Sequence, residues 1–261
     1  MIEPFVGDYR AGRTPVPCVA CNKDLKFGSL LRRARAWDAA AVATGHYARV
    51  SRDAASGRWL LWKGRDPRKD QSDFLWPLDQ AQLAAARFPV GDLTKDEVRR
   101  HARRMGLATA DKPESQEICF IPDNDYRGFL RRREPRAFAP GRIVDRAGTE
   151  LGKHGGVANY TIGQKKGLGL ASGSALYVID LDAETNTVTV GSAADLEHDR
   201  LVARDVNFIA CEPPVEPLRV EAKIRHNHAP APATVRALGD GEAEVVFDEP
   251  QRAITPGQSV V

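Results

Sequence analysis

Cysteine is scarce in this sequence: four residues in 261. That is too few and too scattered for a disulfide framework, and it excludes the small secreted scaffolds held together by bridges. Long apolar runs are missing as well. None reaches the roughly 18 residues that a membrane span requires, so a membrane role is not expected. The first residues, MIEPFVGDYRAGR, lack the basic-then-apolar build of a secretory signal,. A cytoplasmic location follows as the expectation. Net charge is also small, +3. No internal repeat and no low-complexity segment is present. What remains is an ordinary globular composition, with 42% hydrophobic and 28% charged residues,. A chain of this length can bury a sizeable core in one large domain or in two or three small ones.

Charge distribution says more than its sum. Arginines cluster at Arg32, Arg33 and Arg35, at Arg99, Arg100, Arg103 and Arg104, and at Arg131, Arg132, Arg133 and Arg136. Lys165 and Lys166 follow. Guanidinium groups suit bidentate contact with phosphate, and the plainer reading is a set of solvated helix faces.

The first half reads as alternating helix and strand. Leu25, Leu30, Leu31, Ala34 and Trp37 have helical spacing within 23–41. AAAVATG (39–45) reads as a buried strand opening into a loop at Gly45, and RWLLWK (58–63) as another strand. Residues 72–88 read as helix broken at Pro77. Thr94 to Glu97 is a capping box whose helix ends near Gly106. EICFI (117–121) reads as a short strand and 125–133 as a basic helix. From Gly141 onward short β-rich runs alternate with turns, among them the hairpin at DLDAETNT. RVEAKIR, TVRAL and EAEVVF follow at a spacing that suggests a small closed β-barrel. The expected plan is α/β plus β. It has a partial α/β domain over 1–130, a small central linker domain over 131–200, and a C-terminal β-barrel over 201–261.

The chemistry concentrates in PVPCVACN (15–22). Pro15 and Pro17 stiffen the approach to Cys18 and Cys21, which stand at the start of a helix. Free backbone N–H groups there, with Lys23 and Lys26, favour thiolate, which suits a redox, reactive or metal-bound sulfur. The alternative is small buried residues. A zinc ribbon needs a second close pair, and the remaining cysteines, Cys119 and Cys211, are remote from each other and from the first two. Three thiolates with an open fourth position would suit an iron–sulfur cluster. A thioredoxin-like pair would follow a strand, not a proline-rich loop. Gly45 lets a ligand approach the end of its strand, and His46 beside it could touch a phosphate or base, or be a polar loop residue. KDQSDFL (69–75) reads as a nucleotide contact or as a helix cap. The glycine-rich HGGVANYTIGQKKGLGL does not fit the phosphate-loop pattern G-x-x-x-x-G-K-[ST]; its glycines serve turns, with Lys165 and Lys166 placed to meet RNA backbone.

GRTPVPCVACNKDLKFGSLL, ATGHYAR, KDQSDFL, SQEICFI, YTIGQKKGLGL and TPGQSVV occur together, in the order seen in bacterial tRNA-specific 2-thiouridylases, the MnmA family. The chain resembles that family from about Pro4 to its last residue. The resemblance implies a PP-loop, adenine-nucleotide α-hydrolase-like catalytic domain, a central domain and a tRNA-binding β-barrel. It implies sulfur-for-oxygen exchange at C2 of the wobble uridine of tRNA. ATP, with Mg²⁺, would activate the base as an adenylate, and a persulfide sulfur would displace AMP. The sulfur would come from a donor protein, a cysteine desulfurase or sulfur carrier. By the same resemblance Cys21 matches the nucleophile and Cys119 the persulfide carrier. Val16, Pro17 and Cys18 match the loop that meets the target base, and Gly45 an ATP contact. His46, the triplet Lys69, Asp70 and Gln71, and Arg225, His226 and Gln258 match tRNA contacts.

Many members have aspartate where this chain has Cys18. Variants with cysteine there resemble sulfurtransferases in which three cysteines hold a [4Fe–4S] cluster. Cys18, Cys21 and Cys119 are then the expected ligands; the rival expectation is that Cys18 is a bystander to a persulfide–disulfide route. The family also opens on a strand and an SGGVDSS-type pyrophosphate loop that this sequence lacks, and it runs on past TPGQSVV. The chain is therefore expected to be a truncated or mis-started member that binds ATP poorly by itself and exposes a sheet edge. A non-catalytic RNA-binding remnant and a stand-alone iron–sulfur or redox protein are the alternatives. Oligomeric state is not readable.

Overall fold

Parallel pairing at the heart of the first domain needs only four residues. Strand β1 (Val42–Ala43) pairs in parallel with β4 (Ala86–Arg87), and between them lies the antiparallel hairpin of β2 (Ala48–Arg52) and β3 (Trp59–Lys63). The computed structural model describes residues 1–112, 118–171 and 173–261. Around β1 and β4 pack Phe27, Leu31, Leu75, Leu78, Leu83 and Phe88. These are the apolar positions of the first half, and their burial removes them from water on both faces of the strands. The expected strand over 39–45 shrinks to β1. The expected helix over 72–88 becomes a 3₁₀ turn, Ser72–Phe74, and α-helix Gln80–Ala85. Pro77 cannot donate to a helical ladder, so the segment restarts at Asp79, whose side chain caps the second piece,.

Helix α1 (Ile2–Arg10) was not expected. Ile2, Phe5, Val6 and Tyr9 lie on one face and enter a second core with Ile121, Leu130, Ala137 and Ala158,. That core explains the fate of EICFI. Residues 115–117 lie outside the described residues. Ile118 and Ile121 close a turn through a 2.8 Å backbone hydrogen bond, and no strand forms among the described part. Ile118, Phe120 and Ile121 all turn into the α1 core, which leaves Cys119 exposed. The basic helix forms as expected, Tyr126–Arg133, capped by Asp125. Helix Lys95–Arg104 forms with its capping box, Thr94 and Glu97 bonding each other's backbone.

The second half is β-rich, as its turns predicted. Strands β5 (Gly141–Val144), β6 (Glu150–His154), β7 (Tyr177–Asp182) and β8 (Thr187–Gly191) form a sheet of order β6-β5-β8-β7. It buries Ile143, Val178, Val188 and Val190. Strands β9 (Glu197–Ala203), β10 (Leu218–Ala222), β11 (Ala231–Gly239) and β12 (Glu242–Arg252) form a second sheet of order β10-β11-β12-β9. Its core is Ala222, Ile224, Ala233, Val245 and Phe247. Among the described residues both are open four-stranded sheets, where strand spacing suggested closure. Edge strands β9 and β10 do not pair with each other, and β12 shifts register between Val246 and Gln251, which bends the ladder without closing it.

The last sheet is fastened to the first domain. Asn207 Nδ2 donates to the carbonyls of Trp76 and Leu78 at 2.7 and 2.9 Å. Arg58 reaches the carbonyls of Phe208 and Ile209 at 3.0 Å each. Asp73 accepts from Lys223 and His226. This junction holds the C-terminal sheet beside the segment that also supports the cysteine helix.

Candidate thiol site

The cysteine helix begins at Pro17. Proline at the first helical position loses no hydrogen bond, and its fixed φ suits the helix start,. After one α-turn, Pro17–Ala20, the backbone widens into a π-helix over Cys21–Leu30 and returns to α over Leu31–Ala36. A π-helix is uncommon and needs outside support. Here Gln82 supplies it, its Nε2 donating to the carbonyls of Lys23 and Phe27 at 3.2 and 3.0 Å. Asn22, 1% exposed, ties the helix to the Phe74 carbonyl at 2.9 Å, and its Oδ1 has no partner.

Cys18 is exposed and Cys21 buried, and all four cysteines are free thiols. The thiol of Cys119 acts on both Cys18 and Cys21, raising each pKa as neighbouring thiols do. Three sulfurs from two remote stretches of chain therefore share one electrostatic neighbourhood. The net shift corrects one expectation. Both Cys18 and Cys21 are pushed up, first by desolvation, and Lys26 only partly offsets this,. The helix start does not outweigh the protein atoms packed around the two sulfurs, even though Cys18 keeps an exposed face. Among the described residues no group of three or more His, Cys, Asp or Glu is assembled to hold a metal ion. The three thiols do not fit a cluster as they stand, so no step is derived through one. Cys211 is half-buried at the start of the Pro-rich connection and does not act on Cys18 or Cys21.

Gly45 lies just past β1, and a Cβ added there would meet nothing within 4 Å. That open space at the carboxyl end of a parallel strand suits a nucleotide's approach. His46 is a different kind of residue from the one its sequence position suggested. It is 8% exposed, with Nε2 3.3 Å from Lys26 Nζ and Nδ1 2.7 Å from Thr44 Oγ1. Burial, then the Lys26 charge, pulls its pKa down to about 4. His46 is thus neutral in the folded protein over most of the pH range, while the unfolded chain would protonate it near 6.5. Between these two values the unfolded state binds the extra proton. The stability contributed by the neutral ring is complete above about pH 6.5 and is lost as pH falls toward 4. NMR titration of the ring should give a midpoint near the lower value; one near 6.5 would contradict the buried placement.

The other residues singled out in the sequence divide between a loop of the first domain and the C-terminal part that packs against it. Asp70 Oδ1 accepts from the backbone of Gly64 and Ser72 at 2.8 and 3.2 Å, and Gln71 pairs with the Tyr47 backbone at 3.1 and 2.9 Å. Both side chains shape the loop. Lys69 precedes them, its backbone N–H bonded to Asp66. Gln258 donates to the Thr14 carbonyl at 2.8 Å, and Gly257 lies so close to Thr14 that a Cβ would sit 2.9 Å from its backbone. The C-terminal turn thus braces the approach to Val16, Pro17 and Cys18. Arg225 caps the carbonyl of Ala253, and His226 meets Asp73.

The arginine clusters follow the plainer reading in part. Helix Lys95–Arg104 buries none of its residues, and Arg103 pairs with Asp111 at 2.7 Å. Arg33 lies over Trp37, and Arg131 and Arg133 over Phe138 and Phe129. Sequence reading missed Asp73, hidden inside KDQSDFL, because its partners come from the distant C-terminal sheet.

Three family models cover nearly the whole chain. They are described as a tRNA methyl transferase HUP domain over residues 1–123, a tRNA methyl transferase PRC-barrel domain over 127–192, and an aminomethyltransferase beta-barrel domain over 198–261. The chain is 47% identical over 261 residues to the tRNA-specific 2-thiouridylase MnmA of Clostridioides difficile, covering all of this chain and 72% of that protein. It is 51% identical to the protein of the same name from Heliobacterium modesticaldum, covering all of this chain and 68% of the relative. The Carboxydothermus hydrogenoformans protein of that name is 48% identical, with 72% of it covered. The chain belongs to the tRNA-specific 2-thiouridylase family.

Membership agrees with the architecture: a HUP-type α/β domain, a mixed central domain and a β-rich C-terminal domain. Among the described residues no helix is long and apolar enough to cross a membrane.

Proposed function

We propose that this 2-thiouridylase family member transfers sulfur to C2 of the wobble uridine of tRNA, with ATP as co-substrate and a persulfide-bearing donor protein as sulfur source. What carries the reading is 47–51% identity over the whole chain to proteins named as tRNA-specific 2-thiouridylases, supported by Cys18 and Cys21 on a stiff proline-led helix start and Cys119 on an exposed turn, whose thiol acts on both. ATP, as its Mg²⁺ complex, would activate O2 of the uridine as an adenylate in the open space beside Gly45. Val16, Pro17 and Cys18 would face the base. Lys69 and Arg225, with Asp70, Gln71, His226 and Gln258, would form or brace the tRNA surface, and the buried His46 would support it from within.

The donor protein would load a sulfane sulfur onto Cys119. The terminal sulfur of that persulfide attacks C2, the bond from C2 to the adenylated oxygen breaks, and AMP leaves with that oxygen. The Cys21 thiolate then attacks Sγ of Cys119. The bond between Sγ and the transferred sulfur breaks, a Cys21–Cys119 disulfide forms, and sulfur stays on C2 as the thiocarbonyl. The sulfane sulfur gains the two electrons that the two thiols lose, and an external thiol reductant restores both cysteines. This route needs two thiols, which favours it over a three-ligand cluster that the present side-chain arrangement does not assemble.

A form of the protein extended to include the family's SGGVDSS-type pyrophosphate loop, incubated with ATP, tRNA and a persulfide donor, should yield 2-thiouridine in nucleosides digested from the tRNA. Salt-sensitive tRNA retention without product would instead support an RNA-binding remnant. Iron and labile sulfide in anaerobically purified protein, without tRNA retention, would support a stand-alone iron–sulfur protein.

A further inference from the structure

Sulfur at this site is anionic whenever it reacts, and one basic side chain, Lys26, acts on both Cys18 and Cys21. Lys26 lies five residues after Cys21 within the π-helix Cys21–Leu30. The i→i+5 hydrogen bond of a π-helix brings residues five apart toward one face, whereas an α-helix would send them apart. The widened turn therefore puts the ammonium on the side of the thiol. Its direction is then fixed from behind. Lys26 Nζ is 3.3 Å from His46 Nε2, and His46 Nδ1 is 2.7 Å from Thr44 Oγ1. An ammonium can only donate, so Nε2 accepts and Nδ1 carries the ring proton toward the threonine oxygen. Phe88 stands edge-on to the ring with centroids 6.0 Å apart and closes its remaining side. The imidazole is thus a held, neutral acceptor for one of the three ammonium protons.

We propose that Lys26 is the residue that sets positive charge against the sulfur anions of the Cys18, Cys21 and Cys119 pocket, and that His46 is its positioning residue. Its task rests on the sulfur-transfer reading above; its placement does not. The Lys26 charge favours the thiolates of both Cys18 and Cys21. The other ionisable groups acting on the pocket are the three thiols on one another and, least, the α-amino group on Cys21. A cation here would steady the persulfide as it approaches C2 and the Cys21 thiolate as it attacks Sγ of Cys119. It also explains why a buried histidine sits beside a lysine, an arrangement that costs the ring its proton,.

The test compares alkylation by iodoacetate, an anion, with alkylation by iodoacetamide, a neutral reagent of similar size. The ratio of the two rates cancels thiolate fraction and reports local charge. Tryptic peptide 14–23 carries Cys18 and Cys21, and peptide 205–219 carries Cys211 as an internal control. Lys26→Met should lower the ratio on peptide 14–23 by about threefold or more, the effect of one unit charge at roughly 6 Å in water. The control should not move, and Lys26→Arg should hold the ratio. An unchanged ratio in Lys26→Met overturns the proposal. Should Lys26→Met fail to fold, His46→Leu carries the test: it leaves the cation but removes its anchor, and a smaller fall in the same direction is expected, no fall again overturning the placement. A lowered ratio in a protein that makes no 2-thiouridine keeps Lys26 where it is and removes the proposed reaction instead.

Discussion

In the form extended to include the pyrophosphate loop, alanine at Cys119 or at Cys21 should each reduce 2-thiouridine formation by at least about a thousandfold, to the limit of detection. The size follows from chemistry and not from packing. Cys119 supplies the atom that carries sulfur and Cys21 the electron pair that releases it, so neither loss can be made good by water or by tighter substrate binding. Cys119 is exposed, so its removal disturbs no core. Cys21 is buried at 9% exposure, and Cys21→Ser, close in volume, separates lost chemistry from a lost contact. Cys18→Ala is the informative contrast. On the two-thiol route it should retain activity within about tenfold, because Cys18 would face the base but carries neither the sulfur nor the electron pair that releases it. If it falls as far as the other two, three sulfurs act as one set and the persulfide–disulfide route is wrong. Nucleoside mass spectrometry on digested tRNA reads all three.

Legibility in the sequence tracks how local each interaction is. Thr94 and Glu97 cap a helix through residues three apart, so both the motif and its outcome can be read directly,. RWLLWK and EAEVVF carry β-branched or aromatic density between turn residues and become β3 and part of β12,. EICFI carries the same density and forms a turn. Its apolar side chains are claimed by α1 and by helix Tyr126–Arg133, which the run itself does not announce. The spacing of Ile2, Phe5, Val6 and Tyr9 did contain the signal for α1,. The π-helix had no such signal, because its support comes from Gln82, far along the chain. The candidate site divides the same way. Cys18 and Cys21 were visible as a pair, and Cys119 joined them only through the family resemblance. That Lys26 and His46 meet, and that Gln71 and Gln258 brace backbone, depends on tertiary contacts that no spacing rule reaches.

Removing the Asp73 carboxylate should loosen the C-terminal sheet from the first domain, costing about 3 kcal/mol at that junction. Asp73 is 7% exposed, and a single oxygen, Oδ2, accepts from Lys223 Nζ at 3.1 Å and from His226 Nδ1 at 2.8 Å. The other oxygen has no partner, a cost the two donors must outweigh,. His226 in turn lies against Phe74, ring centroids 4.6 Å apart. Asp73→Ala would leave the Lys223 ammonium, 18% exposed, with no counter-charge, so most of the loss is that of a stranded cation,. The double variant Asp73→Ala/Lys223→Met should therefore recover part of what the single variant loses, since it strands nothing. Hydrogen exchange over residues 71–75 and 223–226 reads the junction directly and does not require the whole chain to unfold in one step. Faster exchange in Asp73→Ala, reversed in part by Lys223→Met, is the expected pattern. Equal protection in all three proteins would mean that Asn207, Arg58 and Trp76 hold the junction without this carboxylate, and that Lys223 and His226 are free to serve the RNA surface alone.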